Sequence, residues 1–200
     1  MATFSKSTGT LFALASTAAS SVAISSALDV STAMGGLVYV RFGRRSATAA
    51  GAGVNIRLEA SFATSGNNTW VPFAQYVTAF AACTSSAISG TEAAGETVLG
   101  ITLATGFAAG DIIYIDNTTI ANSEWARVVS SDTVPTPDTI TVEEATVNAQ
   151  TGSTVYDAAE IYTPAEIPAG AVRIRLVADG SLFTQAFALD ARYSLITGIA

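Results

Sequence analysis

The stretch Val54-Asn55-Ile56-Arg57-Leu58-Glu59-Ala60-Ser61-Phe62 decides the fold class. Val54, Ile56, Leu58, Ala60 and Phe62 alternate with Asn55, Arg57, Glu59 and Ser61. Successive side chains of a strand point to opposite faces, so a period of two sets one apolar row against a core. Val172, Ile174 and Leu176 alternate with Arg173 and Arg175 in the same way. Outward from these two runs, further strands are predicted at 22–30, 37–42, 70–77, 97–103, 111–116, 124–130, 139–143 and 182–189. Turn chemistry separates them: Gly43-Arg44-Arg45, Gly51-Ala52-Gly53, Ser65-Gly66-Asn67-Asn68, Ala109-Gly110-Asp111, Pro135-Thr136-Pro137, Ile167-Pro168-Ala169-Gly170 and Asp179-Gly180. No segment offers a long capped amphipathic helix; the Ala-rich residues 91–95 hold a short turn at most. Many short strands at this spacing predict an all-β chain built as a sandwich or barrel.

Charge divides that chain. Residues 83–164 hold eleven acids and one base, Arg127, a net charge of −10. The remainder holds eight bases and five acids, +3, and the two make the −7 of the whole. The flanks resemble each other, with arginine-bearing alternating strands and aromatics. The expectation is a discontinuous outer β-domain, 1–82 plus 165–200, with an acidic β-domain, 83–164, inserted where a surface loop brings its ends together. Residues 1–21 are expected to be an N-terminal arm or a first strand. One elongated sandwich with an acidic end would give the same layout.

Composition narrows the function. Half of the 200 residues are hydrophobic and only 12% are charged, against roughly 25% charged in a typical soluble domain. Other chains covering much of the surface would account for this. A membrane is disfavoured, since the strongly apolar runs are far shorter than the ~20 residues of a bilayer helix. Lys6 and the broken apolar run Leu11-Phe12-Ala13-Leu14-Ala15 fit a secretory leader poorly. The sole cysteine, Cys83, excludes an intrachain disulfide and reads as a small buried hydrophobe.

No histidine is present, which excludes Ser-His-Asp and Cys-His catalysis and zinc sites built on histidine. The single lysine, Lys6, lies in no phosphate loop, and Gly51-Ala52-Gly53 opens no helix. Glu143 and Glu144 are adjacent and point to opposite faces of a strand, as do Asp111 and Asp116 at their five-residue offset. Neither pair is specified to flank one glycosidic bond. Asp111, Asp116, Asn117 and Asn122 are oxygen ligands near turns, but no DxDxDG loop is present. The expectation is therefore no enzyme, no catalytic residue, no cofactor and no metal site. The negative net charge speaks against nucleic acid. Arg41, Phe42, Arg44 and Arg45, with Arg173 and Arg175, are candidate protein-contact residues. Trp70 and Trp125 read as core packing before sugar platforms. Asn67-Asn68-Thr69 and Asn117-Thr118-Thr119 match the N-glycosylation pattern.

The outer flanks resemble β-sandwich and jelly-roll virion proteins of tailed bacteriophages, above all capsid decoration, or cement, proteins. The residues that carry this are 36–43 (Gly-Leu-Val-Tyr-Val-Arg-Phe-Gly), 54–61, 70–73 (Trp-Val-Pro-Phe) and 172–178 (Val-Arg-Ile-Arg-Leu-Val-Ala). Residues 107–115 and 124–129 resemble small barrel modules inserted into such proteins. The resemblance implies a jelly-roll-like outer domain with an inserted β-barrel-like domain. It also implies a homo-oligomer, in the form of a trimer, that binds the major capsid protein on the capsid exterior. A tail, collar or fibre component, or a carbohydrate-binding host-attachment module, would share the same composition.

Overall fold

The computed structural model describes residues 4–66 and 69–199. The strands are β1 (Phe4–Thr17), β2 (Val22–Ile24), β3 (Leu28–Asp29), β4 (Gly35–Arg44), β5 (Asn55–Ser61) and β6 (Trp70–Val77). The middle of the chain adds β7 (Ser85–Ala87), β8 (Thr91–Glu92), β9 (Val98–Ile101), β10 (Ile112–Asp116), β11 (Glu124–Asp132) and β12 (Asp138–Val142). Then follow β13 (Gln150–Thr151), β14 (Thr154–Tyr156), β15 (Glu160–Ile161), β16 (Ala165–Glu166), β17 (Arg173–Asp179) and β18 (Phe187–Ile199). The only helical element among the described residues is a 3-10 turn, Ile120–Asn122. The fold is all-β and sandwich-like.

Two antiparallel sheets enclose the first core. One runs β1-β18-β4-β15, with β16 also on β4; the other runs β2-β17-β5-β6, with β3 also on β17. The alternation read from the sequence sets their faces. Ile56, Leu58 and Ala60 of β5 and Ile174, Leu176 and Ala178 of β17 are buried, while their neighbours Arg175 and Glu59 pair across the strands on the outer face. Val38, Val40 and Phe42 of β4 and Leu189 and Ala191 of β18 close the core from the facing sheet. Phe183 and Phe187 pack with Phe42, two of the three ring pairs edge-on at 5.7–5.9 Å. Full burial of one such side chain stabilises by about 1.5–3 kcal/mol relative to exposure.

The strands of residues 85–156 form a third, six-stranded sheet, β7-β14-β10-β11-β12-β9, and a two-stranded one, β8-β13. Leu99, Ile101, Ile113, Ile115, Ile140 and Val155 make a separate apolar cluster there. The outermost strands are bridged at Ile88 and Ile101. The Ser89 N–H donates to Gly100 O (2.9 Å), and the Thr102 N–H to Ala87 O (2.9 Å).

Of the two alternatives for residues 1–21, arm or first strand, the fold takes the strand: β1 is hydrogen-bonded along β18 and forms an edge of the first sheet. Two features differ from the sequence reading. The strand expected at 182–189 begins at Phe187 and continues to Ile199, while residues 180–186 turn. The region 22–30 splits into two short strands that both pair with β17. The chain is back on the first sheet at Glu160, where β15 pairs with β4.

Candidate functional site

The second core sits on the outer face of the first sheet, and the contact is built around Gly43. Tyr114, wholly buried, lies with its ring where a Cβ at position 43 would stand. The hydrogen side chain is therefore required by a close approach rather than by backbone conformation. Tyr114 packs with Ala188 of β18 and against Trp125, ring centroids 4.8 Å apart. Trp125 Nε1 donates to the Phe42 carbonyl at 2.8 Å. Arg45 Nε donates to both oxygens of Asp116 at 2.9 Å. Burial works to lower the Arg45 pKa, but the bonds and charge of Asp116 outweigh it and raise it. The Tyr114 hydroxyl makes no hydrogen bond of good geometry, although the Ser123 hydroxyl lies close enough to favour its ionised form; burial outweighs this and pushes its pKa up to about 12.

The candidate contact residues are now placed. Arg41 lies over the Trp125 ring, 4.5 Å from its centroid, and its Nη2 donates to Asp190 Oδ2 at 2.5 Å. Phe42 is fully buried. Arg44 is also fully buried, its guanidinium donating to the carbonyls of Ala81 and Thr48. Within this chain neither side chain reaches the surface: one fills the core and the other ties loop carbonyls from inside. Arg173 and Arg175 lie on the outer face of the second sheet, both over Trp70, at 5.0 and 4.3 Å. Arg175 Nε donates to Glu59 Oε2 at 2.8 Å, and Arg173 Nε to Ala63 O at 2.9 Å. The structure thus divides the six candidates between two sheets.

Asp190 had no place in the sequence reading. It is 1% exposed; its Oδ2 accepts from Arg41 and Arg192, and its Oδ1 has no partner. A carboxylate inside the alternating run 187–195 was the available sign. Beside it an open groove of about 820 Å3 runs between Tyr39, Ile161 and Arg192 of the first sheet and Trp125 and residues 144–148 of the middle segment. The Glu124 carboxylate shapes that wall by accepting from the N–H groups of Val147 and Asn148, each at 2.8 Å, and from the buried Gln150. Arg41 and Arg175 occupy ring faces of Trp125 and Trp70 on which a sugar would stack. The Asn117 amide is buried, and its Nδ2 donates to Gln150 Oε1 at 3.0 Å, so that glycosylation pattern is closed by the fold. Asn67 and Asn68 of the other pattern lie outside the described residues. Among the described residues no group of three or more His, Cys, Asp or Glu could hold a metal ion.

No family model matches the chain, and no curated protein matches it. Two solved structures resemble it faintly. VP17, a capsid protein of bacteriophage P23-77, is 8% identical over 100% of this chain and 99% of its own, at a TM-score of 0.21. The VP16-VP17 complex of the two major capsid proteins of the same phage is 9% identical over 98% of this chain and 100% of the other, at 0.24. Likeness at this level carries no argument about fold or role.

Proposed function

We propose that this chain is a non-enzymatic virion structural protein, a capsid decoration protein that binds the outer shell and stabilises contacts between subunits. In this reading a discontinuous sandwich holds the shell and carries an inserted acidic unit, barrel-like by virtue of its Ile88–Ile101 bridge. The observation that carries it is charge sorted onto two separate cores. Ten of the eleven acids precede the return to the sandwich at Glu160, and the segment that carries them packs on the outer face of one sandwich sheet, which leaves the outer face of the other sheet pointing away from it. That far sheet ends in edge strands with exposed valines and isoleucine: Val22 and Ile24 on β2, Val71 and Val77 on β6. An apolar-edged, weakly charged side suits burial against a protein shell, and a strongly acidic side keeps particles apart in solution.

The test is co-sedimentation of the purified protein with undecorated capsids. Ile24→Asp combined with Val77→Asp is expected to reduce binding at least tenfold. Glu143→Lys combined with Glu144→Lys is expected to leave it within twofold. The reverse pattern puts the shell contact on the acidic side and refutes this orientation. Absence of binding by the unaltered protein refutes the decoration role itself.

A further inference from the structure

The strands β4 and β18 lie side by side, and their alternation sorts residues between two faces. Val40, Phe42, Leu189 and Ala191 enter the core. Tyr39, Arg41, Asp190 and Arg192 stand on the outer face, with Arg41 directly opposite Asp190 and Tyr39 directly opposite Arg192. Ile161 of β15 extends the row beyond Arg41. These five residues line one side of the groove of about 820 Å3, and Trp125 with residues 144–148 lines the other. That volume falls within the roughly 300–1,000 Å3 of small-molecule sites.

The groove holds unspent hydrogen-bonding groups of both kinds. Asp190 Oδ2 accepts every bond that Arg41 and Arg192 offer it, while the buried Oδ1 has no donor. An unmatched buried acceptor costs about 1–3 kcal/mol, so a donor from outside the chain would complete the site. Arg41 engages Asp190 through Nε and Nη2, and Arg192 engages it through Nε alone. Arg41 Nη1 and both terminal nitrogens of Arg192 therefore make no hydrogen bond among the described residues. Across the groove stand the exposed Glu144 carboxylate and the half-buried Asn148 amide. Between these groups the surface is apolar, with Tyr39, Val147 and Ile161 all exposed. Arg41 covers the Trp125 ring, so Tyr39 is the open aromatic face of the groove.

We infer that this groove binds a neutral oligosaccharide. One sugar ring stacks on Tyr39, and its hydroxyls bond to Arg41, Arg192 and Asp190 on one side and to Glu144 and Asn148 on the other. A sugar is the ligand class whose groups match, since each hydroxyl both donates and accepts and the C–H face of the ring is apolar. Charge disfavours an anionic ligand. Two arginines line the groove against Glu124, Glu144 and Asp190, and the segment 83–164 that forms one wall carries a net −10. Such a field repels uronates and phosphates. A peptide strand is matched poorly as well. Strands are captured at sheet edges, whereas this sheet meets the groove by its face. The N–H groups of Val147 and Asn148 on the opposite wall are already held by Glu124. The groove lies on the first sheet, and the shell contact proposed above lies on the second. Sugar binding therefore does not rest on the decoration role, and both sites can be filled at once.

The test exposes the full chain to arrays of neutral oligosaccharides, acidic oligosaccharides and peptides, and titrates each neutral binder by saturation-transfer NMR. At least one neutral oligosaccharide is expected to bind at millimolar concentration or below. Tyr39→Ala and Arg192→Met are each expected to weaken that binding at least tenfold. Tyr39→Phe, which keeps the ring, is expected to stay within threefold, and Ile24→Asp with Val77→Asp, on the other sheet, to leave it unchanged. An unaltered far-UV circular dichroism spectrum checks that each variant folds. Absence of neutral sugar binding overturns the inference, as does binding confined to acidic sugars or to peptides. Sugar binding indifferent to both Tyr39→Ala and Arg192→Met overturns it too. Capsid co-sedimentation keeps the two readings apart. A chain that binds sugar but not capsids loses the decoration role alone, and one that binds capsids but not sugar loses this inference alone.

Discussion

Gly43→Ala places one methyl group where the two cores meet. An ideal Cβ at position 43 would stand 2.6 Å from Tyr114 Cδ2 and 2.8 Å from Cδ1. Carbon atoms settle at about 3.5–4.0 Å, so the ring must retreat by roughly 1 Å or the strand must bend. The ring has little room to do so. Tyr114 is fully buried, Ala188 lies in the same cluster, and Trp125 beside it is pinned to the Phe42 carbonyl. Overpacking of a tight site costs about 1–3 kcal/mol, and a shift of Trp125 would weaken its bond to Phe42 as well. The expected loss is about 2–4 kcal/mol, read as a lower denaturant midpoint at unchanged slope. Tryptophan emission is expected to change before the far-UV signal, since Trp125 reports the junction. Tyr114→Leu, which removes the ring, should recover part of the loss in the double variant, a coupling of at least 1 kcal/mol between contacting positions. Stability of Gly43→Ala within 0.5 kcal/mol of the unaltered protein would refute the claim that this glycine admits the ring. So would strictly additive behaviour of the pair.

The Tyr114 hydroxyl is buried without a hydrogen bond of good geometry, so Tyr114→Phe is expected to be neutral or to stabilise by up to about 1 kcal/mol in the same denaturation assay. Its pKa is raised to about 12 against about 10 in an unfolded chain. The associated stability is therefore complete below pH 10 and lost as pH rises toward 12, about 3 kcal/mol in all. An absorbance titration at 295 nm should show at least one tyrosine silent until the protein unfolds, and Tyr114→Phe should lessen the alkaline sensitivity. Asp190→Asn leaves Arg41 and Arg192 without their shared counter-charge. The expected cost is about 2 kcal/mol, the buried-pair penalty reduced because both arginines reach solvent, measured as a midpoint shift. Burial raises the pKa of the Cys83 thiol despite the nearby Arg44, so reaction with a disulfide reagent at neutral pH is expected to be slow until denaturant is added.

The alternating runs 54–62 and 172–176 were legible because both strands lie between one core and one open face. The departures lie at the ends and under Trp70: Phe62, beyond the end of β5, is 55% exposed, Val172 before β17 is half-buried, and Glu59 and Ser61 on the polar side are buried. The long strands β1 and β18 were harder to read for two different reasons. Nine of the fourteen residues of β1 are Ser, Thr, Gly or Ala, whose small side chains give little hydrophobic contrast between faces. β18 carries a buried Asp190 beside an exposed Arg192, so its charge looks like solvent exposure although the carboxylate is covered. Arg44 could not be found from sequence at all. Its burial is compensated by carbonyls at Thr48 and Ala81, the latter thirty-seven residues away. The pairing of Arg41 with Trp125 likewise joins positions that no local pattern connects.

The order of strands in space imposes an order in time. β18 lies between β1 and β4, and β17 lies between β2 and β5. Both sandwich sheets thus have a central strand drawn from residues 173–199, the last of these strands to leave a ribosome. While residues 1–166 are being made β1 has no partner and β5 has only β6, whereas every strand around the second core lies within 85–156. Closing the sandwich joins residues nearly two hundred positions apart, as in Phe4 with Ile199, and such long loops slow folding. A nascent chain of this protein therefore completes its acidic unit well before it has a sandwich. Its first strand, β1, finds its hydrogen-bonding partner only when β18 is in place.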